Sequence, residues 1–349
     1  MDSTSQPVDK RKLTRSLVGV VLFGFLCLQI FRWQTYAFEV TWLSLKSMTI
    51  GLSFQNHVRF GSICNSIQNY ECSSEHFQEA LSMSPKHLSS MGNLAIAQSH
   101  LEDFAQATTA FEHYFQAGGL AYDVMHFYAR HLIKNGQFDR GVQWLYRSLS
   151  VHTSNQEVAN ELIDRLTLEE KFYEALSLTG ALVEVDPTTR DFWKSKQMSL
   201  MQFLETQTSL KKETQSGVTD DTTSIHIPSL DGKSFFVPVR FDATTPWNLF
   251  LIDRGESQIV VSAEILSKWS YELYEKLKPQ LQDPKAKVKF ELKQLRVGPW
   301  TLENVEAILC EKCQSRLGRA IFNHLDVQKG QDQISDFITI QPRKEEESE

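Results

Sequence analysis

The chain reads as a membrane-anchored protein of two folded parts, an all-α solenoid followed by an all-β domain with short helices. Three observations predict this. An apolar run behind a basic flank opens the sequence, an internal repeat of 34 residues fills its middle third, and near residue 224 the apolar period becomes that of strands. A length of 349 residues accommodates two or three domains, and 41% hydrophobic with 23% charged residues is globular material. The net charge of -7, without Lys and Arg clustered on one face of a folded part, argues against nucleic acid as a partner.

Residues 1–16 carry Lys10, Arg11, Lys12 and Arg15. Leu17 to Phe31 is then apolar apart from Gln29, and Arg32 and Trp33 close the run. This is the layout of a transmembrane signal anchor over 17–33, with a cytoplasmic tail over 1–16. The run is short against the roughly 20 residues of a span, so a cleaved signal peptide is the alternative. Thr35-Tyr36-Ala37 is a poor cleavage site because it follows Arg32 and Trp33. Either way the remainder is expected to be exported. Between Phe38 and Leu52, apolar residues recur at helical spacing, which fits a helix on the membrane surface or the first helix of the solenoid.

Within the expected solenoid, 34–210, three series keep the 34-residue step: Phe104, Phe138 and Phe172; Leu94, Tyr128 and Leu162; Ala107, Gly141 and Ala175. Each unit predicts two helices and a turn, such as Asn135-Gly136-Gln137, with the small residue letting the paired helices approach. Pro85 and Pro187 each stand where a hairpin ends. The period, the aromatic and small positions and the prolines resemble tetratricopeptide repeats, which implies a concave surface for a protein or peptide partner. A rigid spacer is the alternative role. Phe77 to Leu81 repeats a second helix out of register, and Asp191 to Leu210 reads as the capping helix a solenoid needs. His100, His113, His126 and His131 share no metal spacing. Residues 211–223 are polar and read as a linker, and 342–349 as an acidic tail.

Cysteines occur as two close pairs, Cys64 with Cys72 and Cys310 with Cys313, and a lone Cys27. In an oxidising compartment two disulfides are the simplest reading; a single Cys-x-x-Cys is weak as a zinc site. Cys64 and Cys72 would staple two helices. Neither a Gly-rich phosphate loop nor a His-Glu-x-x-His run is present, so neither cofactor nor metal is expected.

In the β-rich part, 224–341, an apolar strand Leu249 to Ile252 delivers Asp253 into a tight turn, and a second strand, Ile259 to Val261, leaves it. The run Asp253-Arg254-Gly255-Glu256-Ser257 resembles the active-site loop of retropepsin-like aspartic proteases at Asp253, Gly255 and Ser257. Arg316-Leu317-Gly318 and the residues after it are similar to the second signature of that family. Ala263 to Leu281 is predicted helical, Lys287 to Leu295, Trp300 to Thr301 and Val305 to Leu309 as strands, and Phe337 to Ile340 as the strand closing the sheet. The resemblance implies an acid-protease-like barrel in which Asp253 is the catalytic aspartate, and a homodimer, since one chain supplies one aspartate.

Three departures bear on that chemistry. Arg254 stands where the family has Thr or Ser, and a cation beside Asp253 would oppose the proton that two aspartates share. Glu256 replaces a small residue and could neutralise Arg254. No Gly lies between Gly255 and Gly298, where the family has a Gly-rich flap. The expected function is therefore a membrane-anchored interaction or assembly protein whose β-domain keeps the fold without the activity. The alternative is an anchored, homodimeric aspartic endopeptidase whose solenoid selects substrates. The combination of domains resembles proteins of Gram-negative envelopes, which implies an inner-membrane protein with its bulk in the periplasm.

Overall fold

The computed structural model describes residues 39, 41–43, 46, 51–214, 224–242, 244–281, 283, 286–331 and 336–343. The anchor expected at 17–33 and the acidic residues from Lys344 lie outside them, and among the described residues no helix is long and apolar enough to cross a membrane. The chain forms two compact units, residues 1–119 and 120–349.

The first unit contains two helical hairpins, α1 (Phe54–Ser66) with α2 (Tyr70–Met83) and α3 (Leu88–His100) with α4 (Phe104–Gln116). Side-chain oxygens or nitrogens of Asn69, His87 and Asp103 cap α2, α3 and α4 by accepting backbone N–H groups of the first turn. Cys64 of α1 is disulfide-bonded to Cys72 of α2, with Cα atoms 5.8 Å apart, so the predicted staple is present. Leu43 and Leu52 are buried against Phe60, Ile63 and Cys64, which ties this part of the 38–52 segment to the solenoid.

The second unit begins with the hairpins α5 (Tyr122–Lys134) with α6 (Phe138–Val151) and α7 (Gln156–Leu168) with α8 (Phe172–Val185), followed by α9 (Arg190–Thr214). Helix starts at 54, 88, 122, 156 and 190, and at 70, 104, 138 and 172, keep one step of 34. The segment around Phe77 is therefore in register, not out of it. Ser73, with no exposed surface, stands 34 residues before Ala107 as the first member of the small-residue series. At Gly141 a Cβ would come within 2.4 Å of Ile133 and 3.0 Å of the Ala129 carbonyl, which is the close approach the small residue permits. The turns repeat too: Gln68, Glu102, Gly136 and Glu170 all take positive φ, 34 residues apart. The residues that keep the 34-residue step are expected to form the repeat core, and not all of them are buried. Phe104, Phe138 and Phe172 each head a second helix, and Phe138 is 44% exposed; Leu94 is half-buried, whereas Tyr128 and Leu162 are fully buried.

The β-domain comprises β1 (Ile225–Ser229), β2 (Phe236–Arg240), β3 (Asn248–Ile252), β4 (Ile259–Ser262), β5 (Val288–Val297), β6 (Trp300–Cys310), β7 (Arg316–Leu317), β8 (Leu325–Gln331) and β9 (Asp336–Pro342). Six strands close a barrel in the order β2-β3-β7-β4-β6-β5, and β1-β9-β8 form a separate sheet. The final strand, expected to close the sheet, lies instead in the middle of this separate one, paired between β1 and β8. Instead of one helix over 263–281 there are two, α10 (Ala263–Trp269) and α11 (Tyr271–Leu277). Ser270, at φ -152°, breaks the run and caps α11 through its hydroxyl. β6 is continuous where two strands were expected.

Helix α8 contributes to two cores, that of the repeats and that of the barrel. Ala175, Leu178 and Leu182 belong to the core of the repeats, while Tyr173 and Leu176 belong to that of the barrel. All five residues of β2 are buried. A strand with one wet face would alternate, and β2 does not because its outer face meets α8. Glu174 of α8, 7% exposed, accepts the backbone N–H of His226 on β1 at 2.8 Å. Burial raises its carboxyl pKa above the usual range, against the opposing pull of that N–H and of Lys171; Asp139 adds to the rise. A raised folded-state pKa means that the ionised group costs stability once the pH has risen through that pKa, and costs none below the unfolded value. Glu174→Gln, which keeps an acceptor for His226, is therefore expected to raise the melting temperature at pH 7 by roughly 2–4 °C, with the gain vanishing in acid. Melts across that pH range check it.

Candidate functional site

The Asp253 turn is built by two strands and locked by a third segment. β3 pairs antiparallel with β2 and parallel with β7, with Ile252 opposite Leu317. The Asp253 N–H donates to the Leu317 carbonyl at 3.1 Å, and the Glu256 N–H donates to the Asp253 carbonyl at 3.2 Å. Beyond the turn, the backbone of 256–258 lies directly on Gly318, where a Cβ would come within 2.2 Å of the Gln258 carbonyl oxygen and 2.8 Å of that of Glu256. The first turn of the 3-10 segment Arg319–Asn323 then donates to the loop, Arg319 N–H to the Glu256 carbonyl at 2.9 Å and Ala320 N–H to that of Ser257 at 3.1 Å. The two sequence signatures are thus one physical object.

Both carboxylate oxygens of Asp253 are engaged. Oδ1 accepts the Gly255 N–H at 2.9 Å, and Oδ2 accepts from Nη1 of Arg316 at 2.8 Å. The Gly255 N–H and then the Arg316 guanidinium hold its pKa below the usual carboxylate value, outweighing partial desolvation. The side chains of Asp253 and Arg316 are 28% and 40% exposed, so the pair is reachable by solvent.

The cation beside Asp253 is therefore Arg316, not Arg254. Arg254 is turned away along β8, with Nη2 donating to the Val327 carbonyl at 3.1 Å and its guanidinium 5.8 Å from the Phe322 ring centre. Glu256 does not neutralise it. Glu256 Oε1 accepts the Ser257 N–H at 3.0 Å, and Oε2 faces Lys287 Nζ at 3.5 Å. The reason is the tight turn, which sends neighbouring side chains to different sides. Arg316 opens the second signature, but the sequence does not mark it as the partner of Asp253, because its place opposite Leu251 in β7 follows from strand pairing rather than from chain proximity.

Between Gly255 and Gly298, where a flap is expected, the chain forms α10 and α11, and the tip of the following β5–β6 hairpin is part of the barrel. Gly298 donates to the Pro238 carbonyl at 2.8 Å, and Val297 pairs with Val239. Cys310 is disulfide-bonded to Cys313, bracing the turn from β6 toward β7. Among the described residues no three His, Cys, Asp or Glu side chains converge on a metal position. His126 instead contacts Glu161 at 2.9 Å, and His131 is buried.

No protein-family model and no curated protein matches the chain. Solved structures match it in two groups. YrrB, described as a TPR protein with an unusual peptide-binding site, is 18% identical with a TM-score of 0.37 over 47% of this chain and 84% of its own. TTC0263, a thermophilic TPR protein of Thermus thermophilus, is 14% identical with a TM-score of 0.37 over 50% and 95%. A retropepsin-like aspartic protease from Rickettsia conorii is 18% identical with a TM-score of 0.27 over 34% and 92%. These are likenesses of fold, to helical repeats that stand first in the chain and to a β-domain that stands last.

Proposed function

We propose that the chain is a membrane-anchored interaction protein whose solenoid holds a protein partner and whose β-domain is a retropepsin-like module without peptidase activity. The observation that carries this is the 2.8 Å ion pair between Asp253 and Arg316. Aspartic-protease chemistry needs two carboxylates close enough to share a proton, one acting as base toward water and the other as acid. A carboxylate whose oxygens already accept a backbone N–H and a guanidinium is stabilised as the anion and resists that sharing. Binding through the solenoid is favoured by its repeat architecture, since stacked helix pairs present an extended concave surface to a partner. Two disulfides among the described residues favour an oxidising surrounding, and the apolar 17–33 run behind its basic flank favours an anchor with the bulk exported to the periplasm. Resistance of the chain to alkaline extraction from membranes tests the anchor.

The catalytic question has a direct test. Wild type, Asp253→Asn and Arg316→Gln are each incubated with denatured protein from pH 4 to 7.5, and all three are expected to leave it intact. Cleavage by wild type that Asp253→Asn abolishes would establish the endopeptidase, working as a two-fold dimer. The same variants report on the pair itself. A depressed folded-state pKa contributes stability above the unfolded value that is lost as pH falls through the folded one, so Asp253→Asn is expected to lose less than about 1 kcal/mol at pH 7. The difference disappears in acid.

A further inference from the structure

A hollow in the helical array is unused by anything described so far. It opens between α5, α6 and α7, has a volume of about 580 Å³, and is lined by Arg130, Ile133, Lys134, Phe138, Glu161 and Arg165. Three of the six are cations, on a chain whose net charge is -7. Those cations are unequally engaged. Arg130 donates to Glu161 at 2.7 Å and to Glu157 at 2.8 Å, and Glu161 also contacts His126, so the carboxylate within the lining is already shared by two groups. The half-buried Arg165 side chain, by contrast, has no ion-pair or hydrogen-bond partner among the described residues. The same hollow exposes the ring of Phe138, which is 44% accessible at the start of α6.

We propose that this hollow docks an acidic, extended segment of a partner protein, with a carboxylate on Arg165 and a neighbouring apolar side chain on Phe138. It rests on the interaction-module reading and specifies the chemistry of the partner. A guanidinium already part-desolvated gains most from a carboxylate that can accept from its fork. Aromatic residues, Phe among them, and Arg are both enriched in the cores of protein interfaces. A basic segment would meet Lys134 and Arg165 with like charge, so the lining selects by sign.

The test is fluorescence anisotropy on the full chain with a short labelled peptide of alternating glutamate and leucine, and with counterparts carrying glutamine or lysine for glutamate. The acidic peptide is expected to bind with a Kd of about 10 μM, to weaken as salt rises, and to outbind the glutamine form at least tenfold, roughly the value of one charged contact. Arg165→Ala should lose about tenfold and Arg165→Lys should recover part of it. Phe138→Ala should weaken binding at an unchanged helical melt; if that variant melts early, the Arg165 series alone decides. Absence of binding, equal binding of all three peptides, or indifference to Arg165→Ala overturns the proposal. So does a gain in affinity on deleting residues 345–349, which would assign the hollow to the chain's own acidic residues. Charge-independent binding would leave the interaction module standing, whereas hydrolysis of the peptide would strike the non-catalytic reading and not the hollow.

Discussion

Gly318→Ala is expected to destabilise the second unit by about 3 kcal/mol, lowering its melting temperature by roughly 10 °C. Gly318 has φ -82°, so its backbone is open to any residue, and the requirement is for space alone. The atoms in the way are backbone carbonyl oxygens of Gln258 and Glu256, at 2.2 and 2.8 Å from a built Cβ. A side chain could rotate away from the intruder; these carbonyls cannot, because the loop is held by the N–H groups of Arg319 and Ala320. Relief must come from pulling the Asp253 loop off the 3-10 turn, which breaks those two bonds and exposes their partners. Urea unfolding of wild type and variant measures the loss. An unchanged midpoint would mean that the loop and the second signature are not packed as a unit.

The repeat was legible because it is a period, and a period survives substitution at single sites. Its first member was not, since Phe60, Tyr70 and Ser73 stand where later units have Leu or Tyr, Phe, and Ala or Gly. The turns show the same limit. Only Gly136 announces the left-handed residue in sequence, whereas Gln68, Glu102 and Glu170 adopt it without a glycine. In the β-domain, Asp253, Gly255 and Gly318 were legible as motif residues. What they touch was not, because Arg316 reaches Asp253 across 63 residues and through strand register. Adjacency in sequence suggested Arg254, and adjacency in the sheet selected Arg316. The separate sheet is a further case: the alternation in Phe337 to Ile340 reveals a strand but cannot say which edge it joins, and its neighbours are β1 and β8.

Gly180→Ile is expected to split the unfolding of residues 120–349 into two transitions. A Cβ at Gly180 would lie 2.5 Å from Leu249 and 3.0 Å from Phe236, which are strand residues of the barrel facing a helix of the repeats. A β-branched side chain there has few rotamers with which to evade the clash, and β2 is buried on both sides, so the strand has no room to retreat. The polar anchor of the same seam, Glu174 to the His226 N–H, would be stretched along with it. In wild type the barrel and the last repeats share α8, and one cooperative melt is expected, since neither can lose its core without exposing the other's. Once the seam is forced open by about 3 kcal/mol, the barrel should melt first and the helices later. Helical circular dichroism and Trp fluorescence separate the events: Trp247 and Trp269 lie in the barrel core and Trp193 in that of the repeats. Coincident curves in the variant would mean that the seam accommodates the added side chain and that close packing at Gly180 is not what couples the two.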